Sequence, residues 1–403
     1  MRIVVVSQYY LPEDAHLVAE LAESLAERGH SIVVVTAYPN YPAGRLYDGY
    51  RQAWRRVESH DGVTVRRVPI VISHSRNPLG RIVNYVSYGV STLLASGVAK
   101  RADVVYVYAT QMTAAIAPSI WRLLGGAPFV LHVQDLWPES ITASGMVGGR
   151  VGEAMERVLG TWLRWTYRRA AATVAIAPTM LAKLIDRGVP ENRGHLVYNW
   201  GRRIEGDGDV TAAERPGLTV MFAGTLGDFQ DLDTAIEAAR LVTDLEDFRL
   251  TLVGTGSAET RLKKLAQGLE SVEFRGRVPS DEMHGVYRES DFQLVSLKDV
   301  DIFHGTIPSK FQASVSLGLP VITTVAGDLS ALVDANDLGF VARPEDAEAL
   351  ARAFRAAYAL SSEQRREMGD RASAFYEDAM TRETAIGQIE TILTDAAERK
   401  TRK

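Results

Sequence analysis

The stretch DIFHGTIPSKFQASVSLGLPV (Asp301–Val321) sets Gly305, Pro308 and Lys310 just ahead of a helix-like run. A helix start presents unpaired backbone N–H groups and the positive end of its dipole, a combination that holds anions. Ser309 and Lys310 N–H groups would be such donors, and the Lys310 ammonium would pair with a phosphate oxygen. The plain alternative is a solvated lysine in a surface first turn; a cation there is mildly unfavourable against the dipole, which tips the balance a little toward an anionic partner. Two further turns have the same character. FAGTLGDFQDLDTAI (Phe222–Ile236) places Gly224 and Gly227 between a strand and a helix, and LVGTGSAE (Leu252–Glu259) does so with Gly254 and Gly256. Each glycine pair alone serves turn geometry equally well, but three such turns on one sheet edge weigh more than any one. HVQDLWPES (His132–Ser140) gathers His132, Asp135 and Glu139 at a strand end, residue types that move protons or orient a hydroxyl. The plain alternative is a turn-capping Asp135 and a satisfied buried His132.

These residues need a scaffold, and the chain alternates short apolar runs with helical patterns, the mark of parallel α/β architecture. In the first half the strands are RIVVVSQ, SIVVVTAY, VTVRRVPI, DVVYVYA, PFVLHVQD and ATVAIAP. HLVAELAESLAERGH, with one apolar face and Gly29 as its stop, completes the first strand–helix–strand unit. Little apolar periodicity survives from Trp200 to Pro216, which reads as an interdomain linker. A second series follows: LTVMFAG, FRLTLVGTG, VEFRGRV, DFQLVSL, LPVITTV and GFVARP, with helices between them. The expected domains are residues 1–200 and 205–380, with a C-terminal helix at about 381–403 packing back on the first. Both are doubly wound, so ligands should sit beyond the carboxyl ends of the strands, and a cleft between the domains is the expected active site.

Composition narrows the class. The chain has 403 residues, 46% hydrophobic and 24% charged, which suits two globular domains. A net charge of -5 argues against a nucleic-acid coat. With no cysteine there is no disulfide, thiolate metal site or cysteine nucleophile. The N-terminus reads as a strand, not a signal peptide. Tyr85–Ala99, the longest apolar candidate, is short and rich in Gly and Ser and reads as a buried helix. A cytoplasmic setting is expected, with the inner face of the plasma membrane as the variant. ERVLGTWLRWTYRRA (Glu156–Ala170) offers Trp162, Arg164, Trp165 and Arg168 as a peripheral membrane contact, against the plain reading of a packed helix with snorkelling side chains.

GHSIVVVTAYPNYPAG, HVQDLWPES, FAGTLGDFQDLDTAIEAA, LVGTG, VEFRGRVPSDEM and TIPSKFQ…GLPV followed by AGD, taken in order, resemble the family-four retaining glycosyltransferases of GT-B fold. The resemblance is closest to bacterial N-acetyl-L-fucosaminyl and other envelope-polysaccharide enzymes. It implies two Rossmann-like domains, the second holding a nucleotide-diphosphate sugar, expected to be UDP-linked, and the first a glycan, lipid-linked or small-molecule acceptor. The base would lie near Gly276, Arg277 and Val278. The diphosphate would meet Gly224, Thr225 and the loop Thr306, Ile307, Pro308, Ser309 and Lys310, with Leu226 and Gly254 also on the donor side. His132, Asp135 and Glu139 would then be the catalytic-side group, and Glu13, Asp14 and His16 the acceptor-side group, where the plain reading is an acidic helix start. The family's two glutamates fall at Gly305 and Ala313, so both carboxylates are absent, and its usual basic pair is replaced by Thr225 and Gln230. No metal and no cofactor is expected: the D-x-D of Asp299 and Asp301 follows a late strand, where loops and a lysine would manage the leaving charge. The rival readings are an epimerase of similar fold and a catalytically weak binding partner.

Overall fold

The computed structural model describes the chain except for residues 43, 55, 74–77, 138–148, 202–215, 280–281, 302 and 402–403. It divides into two compact units, Met1–Asn199 with Ala385–Lys403, and Trp200–Thr384. Most of the expected linker lies outside the described residues.

The first unit is built on strands β1 (Arg2–Val6), β2 (Ser31–Ala37), β3 (Arg56–His60), β4 (Val63–Val68), β5 (Val104–Ala109), β6 (Phe129–Val133), β7 (Ala172–Ala175) and β8 (Gly194–Leu196). Their order across the sheet is β3-β4-β2-β1-β5-β6-β7-β8, and every pairing is parallel except the β3–β4 hairpin. β1 and β2 are near-continuous Val and Ile because helices cover both faces; Ile3 to Val6 are fully buried. Each such side chain contributes roughly 1.5–3 kcal/mol on leaving water. The order reverses between β1 and β5, so the connections leaving their carboxyl ends run to opposite sides of the sheet and open a crevice there.

β3 and β8 are the strands the sequence reading missed. RVESH pairs by its backbone with β4 and leaves most of its side chains at the surface, so it carries no apolar signature. A third difference concerns Tyr85–Ala99. The helix Pro78–Thr92 runs on through a tight turn at Leu93–Ala95 into Ser96–Ala99. Gly80–Ala99 is therefore a 20-residue helical run long and apolar enough, by length and composition, to cross a membrane, and only 33% of its most apolar window is buried. The expectation of a short, buried helix is corrected on both counts.

The second unit carries β9 (Leu218–Ala223), β10 (Phe248–Val253), β11 (Val272–Gly276), β12 (Phe292–Val295), β13 (Val321–Thr323) and β14 (Gly339–Val341). All are parallel, in the order β11-β10-β9-β12-β13-β14. Leu218, Val220 and Phe222 of β9 interleave with Ile236 and Ala239 of the helix Leu232–Arg240 and with Phe354 in one apolar core. Phe248 stacks on Phe354 with ring centroids 5.2 Å apart.

Candidate functional site

Each unit carries a cavity at the carboxyl ends of its central strands, and the two are built from different chemistry. In the second unit a cavity of about 470 Å³ is lined by Gly224, Thr225, Gly254, Thr255, Arg277, Val278, Met283 and Tyr287, with Ala223 and Val253. Its floor is backbone. Gly224 and Gly254 have φ of 148° and 131°, and a Cβ on Gly254 would stand 1.8 Å from the Gly224 carbonyl oxygen. The turns after β9 and β10 pass each other too closely for any side chain, which is why both residues are glycine. The Gly254 N–H donates to Gly276 O at 2.6 Å, locking the third strand end to the second.

Lys310 comes from the first turn of the helix Ser309–Val315 and reaches over Gly224. A Cβ on that glycine would meet Lys310 Cε at 2.5 Å and Nζ at 3.0 Å. The ammonium lies 4.9 Å from the centroid of the buried Phe222 ring. Burial lowers the Lys310 pKa from its ordinary value, and among the described residues no carboxylate pairs with it. Arg277 stands exposed at the opposite wall, likewise without an ion pair among the described residues. Arg275, two residues earlier, is spent: its guanidinium donates to Glu273 at 3.0 Å and to Glu289. Two cations without a carboxylate partner among the described residues, beside exposed backbone turns, are an arrangement that can take a polyanion.

Not every expected donor residue reaches this cavity. Leu226 does not: its side chain is fully buried in the core and its N–H donates to Thr255 O at 3.0 Å, leaving nothing for a ligand. Thr306, Ile307, Pro308 and Ser309 form the loop that carries Lys310 in, with the Thr306 N–H donating to Phe303 O at 3.0 Å. Sequence reasoning overlooked Thr255, Met283 and Tyr287. Thr255 sits inside the glycine motif already noted, so a signal existed. Met283 and Tyr287 come from a five-residue helix that reads simply as core. Burial pushes the Tyr287 hydroxyl up to about 12, so it stays protonated.

The first unit's cavity, about 420 Å³, lies at the β1–β5 reversal and is lined by Tyr9, Tyr41, Tyr85 and Tyr108 with Glu13, Asp14, His16, Thr110, Gln111 and Asp135. Tyr9 and Tyr41 approach to 5.2 Å between ring centroids. Burial raises the pKa of Tyr9, Tyr85 and Tyr108, so all three phenols remain neutral donors. Behind the wall, Gln111 donates to Gln8, whose side-chain amide donates to Asn84 at 2.7 Å, and Asn84 donates to Val71 O at 2.8 Å. This chain fixes the polar edge between β1, β5 and the helix Pro78–Thr92. The protein packed around Asp135 raises its carboxyl pKa, although the residue itself stands exposed at the cavity wall.

Two sequence assignments change here. Glu13 lines the cavity but is 2% exposed, and its carboxylate accepts the N–H groups of Asn40 and Tyr41 at 2.8 Å each and of Tyr10 at 3.4 Å. It shapes the wall, leaving Asp14 and His16, 3.4 Å apart, as the accessible polar pair. His132 is not on the cavity: it is 1% exposed, its Nδ1 pairs with the Tyr106 hydroxyl, and Tyr106 and Tyr108 set their ring edges against it. Burial pushes its pKa down to about 3, so it is a neutral core imidazole and not a proton carrier. Glu139 lies outside the described residues.

For metals, Asp299 of the D-x-D motif is committed to His304 Nε2 at 2.7 Å. Among the described residues one group, Glu23, His60 and Asp61, brings three ligand-type atoms within 4.8 Å, and none of these residues lines either cavity. Of the aromatic–basic helix, Gly149–Arg169, Trp162 and Trp165 are half-buried and Arg169 stacks over Trp165 at 4.1 Å, as a packed helix would have it.

Comparison with known proteins finds a family model on each unit. Residues 15–200 match the family model described as glycosyl transferase 4-like domain, and residues 217–359 match glycosyl transferases group 1. WcaI of Escherichia coli (strain K12), named for colanic acid biosynthesis as a glycosyl transferase, is 27% identical over 89% of this chain and 93% of its own. WbjE of Pseudomonas aeruginosa, named as a glycosyltransferase, is 24% identical over 63% of this chain and 66% of its own. Among solved structures, HepE of Anabaena in complex with UDP and glucose superposes with a TM-score of 0.63 at 16% identity, covering 98% of this chain and 99% of that one. Sucrose-phosphate synthase of Thermosynechococcus elongatus superposes at 0.69 with 14% identity, covering 99% and 100%. With one family model on each unit and this fold, the chain belongs to the family-four glycosyltransferases of GT-B fold.

Proposed function

We propose that the protein is a retaining glycosyltransferase that takes a sugar from a UDP-linked donor, held by the second unit, and transfers it to a hydroxyl of a glycan, lipid-linked or small-molecule acceptor held by the first. The observation that carries the donor side is Lys310: a cation lowered in pKa by burial, set over Gly224 without a carboxylate partner among the described residues, beside a cavity whose other cation, Arg277, likewise has no described ion pair. A diphosphate supplies what both lack. The base would lie against Val278 and Arg277. The Thr225 and Thr255 hydroxyls and the first-turn N–H groups of Ser309 and Lys310 would take phosphate oxygens.

In the transfer, the bond from the sugar's anomeric carbon to the diphosphate oxygen breaks and the electron pair leaves with UDP. Lys310 and Arg277 stabilise the charge that develops there. The acceptor oxygen bonds to the anomeric carbon from the face the diphosphate leaves, and its proton passes to the departing phosphate oxygen. The reaction therefore needs no enzyme nucleophile and no metal; catalysis is positioning and charge stabilisation. Gly305 and Ala313 offer no carboxylate to the sugar or ribose. His304, held by Asp299, is the polar side chain adjacent in sequence to the first of these gaps.

The test is the anomeric configuration of the product. Turnover of a UDP-sugar with a lipid-linked or small acceptor, followed by NMR, is expected to give the donor's own configuration, with activity unchanged in EDTA. Product of only inverted configuration, or full dependence on added metal, contradicts the reading.

A further inference from the structure

We infer that the exposed face of Gly80–Ala99 docks on an anionic lipid bilayer, so that the acceptor reaches the first unit's cavity from a membrane surface. The inference rests on the reading of that cavity as the acceptor side. From Ile82 to Ala99 the helical run contains no charged residue. Its buried positions, Asn84, Tyr88, Thr92, Ala95 and Ala99, face the sheet, with the Tyr88 hydroxyl donating to Val35 O on β2 at 2.8 Å. These hydrogen bonds tie the helix into the first unit, and a helix anchored this way does not itself cross a bilayer.

The opposite face carries Val83, Val86, Val90 and Leu94, exposed by 49%, 41%, 52% and 48%, with exposed Gly97 next on the same line. Spacings of three and four residues put them in one stripe along the helix. Val71, 52% exposed, joins it, since its N–H donates to Ser87 Oγ of the same helix at 2.9 Å. Exposed Trp54 lies on the segment that Gln52 ties to Ile70 through two hydrogen bonds, of 2.7 and 3.0 Å. A contiguous apolar strip of this kind is not left bare without a partner.

Charge selects that partner. Cations bound the stripe at both ends: Arg81 before it, and Lys100 and Arg101 after it, both exposed. Arg66 donates to Leu94 O at 2.8 Å and adds a fourth basic residue along its flank. No acidic residue lies between Arg81 and Arg101. Apolar side chains at acyl depth, framed by cations at headgroup depth, match an anionic interface. The same helix places Tyr85 in the cavity wall, one residue from Val86 on the stripe. A glycan on a lipid anchor could thus enter the tyrosine cavity while its anchor stays in the bilayer.

The test is flotation of the full chain with vesicles of phosphatidylcholine alone and of phosphatidylcholine mixed with phosphatidylglycerol. The chain is expected to float with the mixed vesicles and to lose them as salt rises. Val86→Glu with Val90→Glu should lower the bound fraction about tenfold, and Lys100→Glu with Arg101→Glu should lower it and remove the salt dependence. Trp162→Ala with Trp165→Ala should leave it unchanged. Circular dichroism and thermal unfolding, measured in parallel, should match the parent in every variant and report folding of the first unit, and UDP affinity should be unchanged because that cavity lies on the second unit; if the glutamates unfold the unit, Val90→Ser with Leu94→Ser carries the same test. Flotation that persists in the stripe variants overturns the inference, as does no flotation of the parent. It is equally overturned if the parent is a dimer that the stripe variants dissolve without any change in lipid binding, because a second copy then covers the face. Flotation as expected with no UDP binding in any form would leave this inference standing and sink the donor-site reading instead.

Discussion

The two cavities stand at equivalent places, the carboxyl ends of parallel strands, and share almost no chemistry. The second unit's floor is glycine backbone under two cations that no described carboxylate answers. The first unit's walls are tyrosines kept neutral by burial, with amides and a hydroxyl behind them. Backbone N–H groups and free cations recognise a compact polyanion. Aromatic faces and neutral phenols recognise a ring bearing hydroxyls, such as a sugar. One topology thus supplies two pockets, and under the proposed transfer the residues at the strand ends suit one to the donor and the other to the acceptor.

The largest way to break this contrast is to fill the glycine crossing. Gly254→Ala, with its Cβ 1.8 Å from Gly224 O, should cost about 3 kcal/mol or more, read as a drop in the denaturant midpoint, and should abolish UDP binding. Tolerance of alanine there would mean the two turns are not held as described. Next comes the arginine pair. Arg277→Ala should weaken UDP binding about tenfold by calorimetry, the worth of one charge-assisted contact, whereas Arg275→Ala should leave it unchanged because that guanidinium is bound to Glu273 and Glu289. Equal losses would show that the free and committed arginines do not differ.

On the other side, Tyr85→Phe should lower kcat/KM for the acceptor several-fold, roughly the worth of a neutral hydrogen bond, without changing UDP affinity. A matching loss of UDP affinity would merge the two sites. The smallest effect concerns stability. The folded state holds the Lys310 proton less firmly than the unfolded chain, so this lysine destabilises the free protein at neutral pH. That cost is in full below the lowered folded pKa and vanishes above the ordinary lysine value of 10.5. Lys310→Met should therefore raise the Tm of the free protein at pH 7 by something on the order of 1 °C, with the gain fading toward pH 11.

How far the sequence foretold these pockets follows from what each is made of. The Gly224 and Gly254 turns and Lys310 were legible because glycine and lysine at a helix start are unusual for local reasons. The tyrosine cavity was not, since Tyr9, Tyr41, Tyr85 and Tyr108 come from four separate segments and each reads as ordinary core. His132 misled for the converse reason: HxxD at a strand end looks chemical, and only the rings of Tyr106 and Tyr108 show it to be packing. Glu13 looked like a free carboxylate until its three backbone donors were seen. β3 escaped because an edge strand binds by its backbone and needs no apolar pattern.

The central claim is that Lys310 is the diphosphate cation of the second unit. It is tested most directly by titrating UDP and uridine into the full chain and into Lys310→Ala by calorimetry. The account predicts that the parent prefers UDP over uridine and that the variant loses at least about tenfold in UDP affinity while binding uridine as before. A variant that binds UDP as tightly as the parent would contradict it.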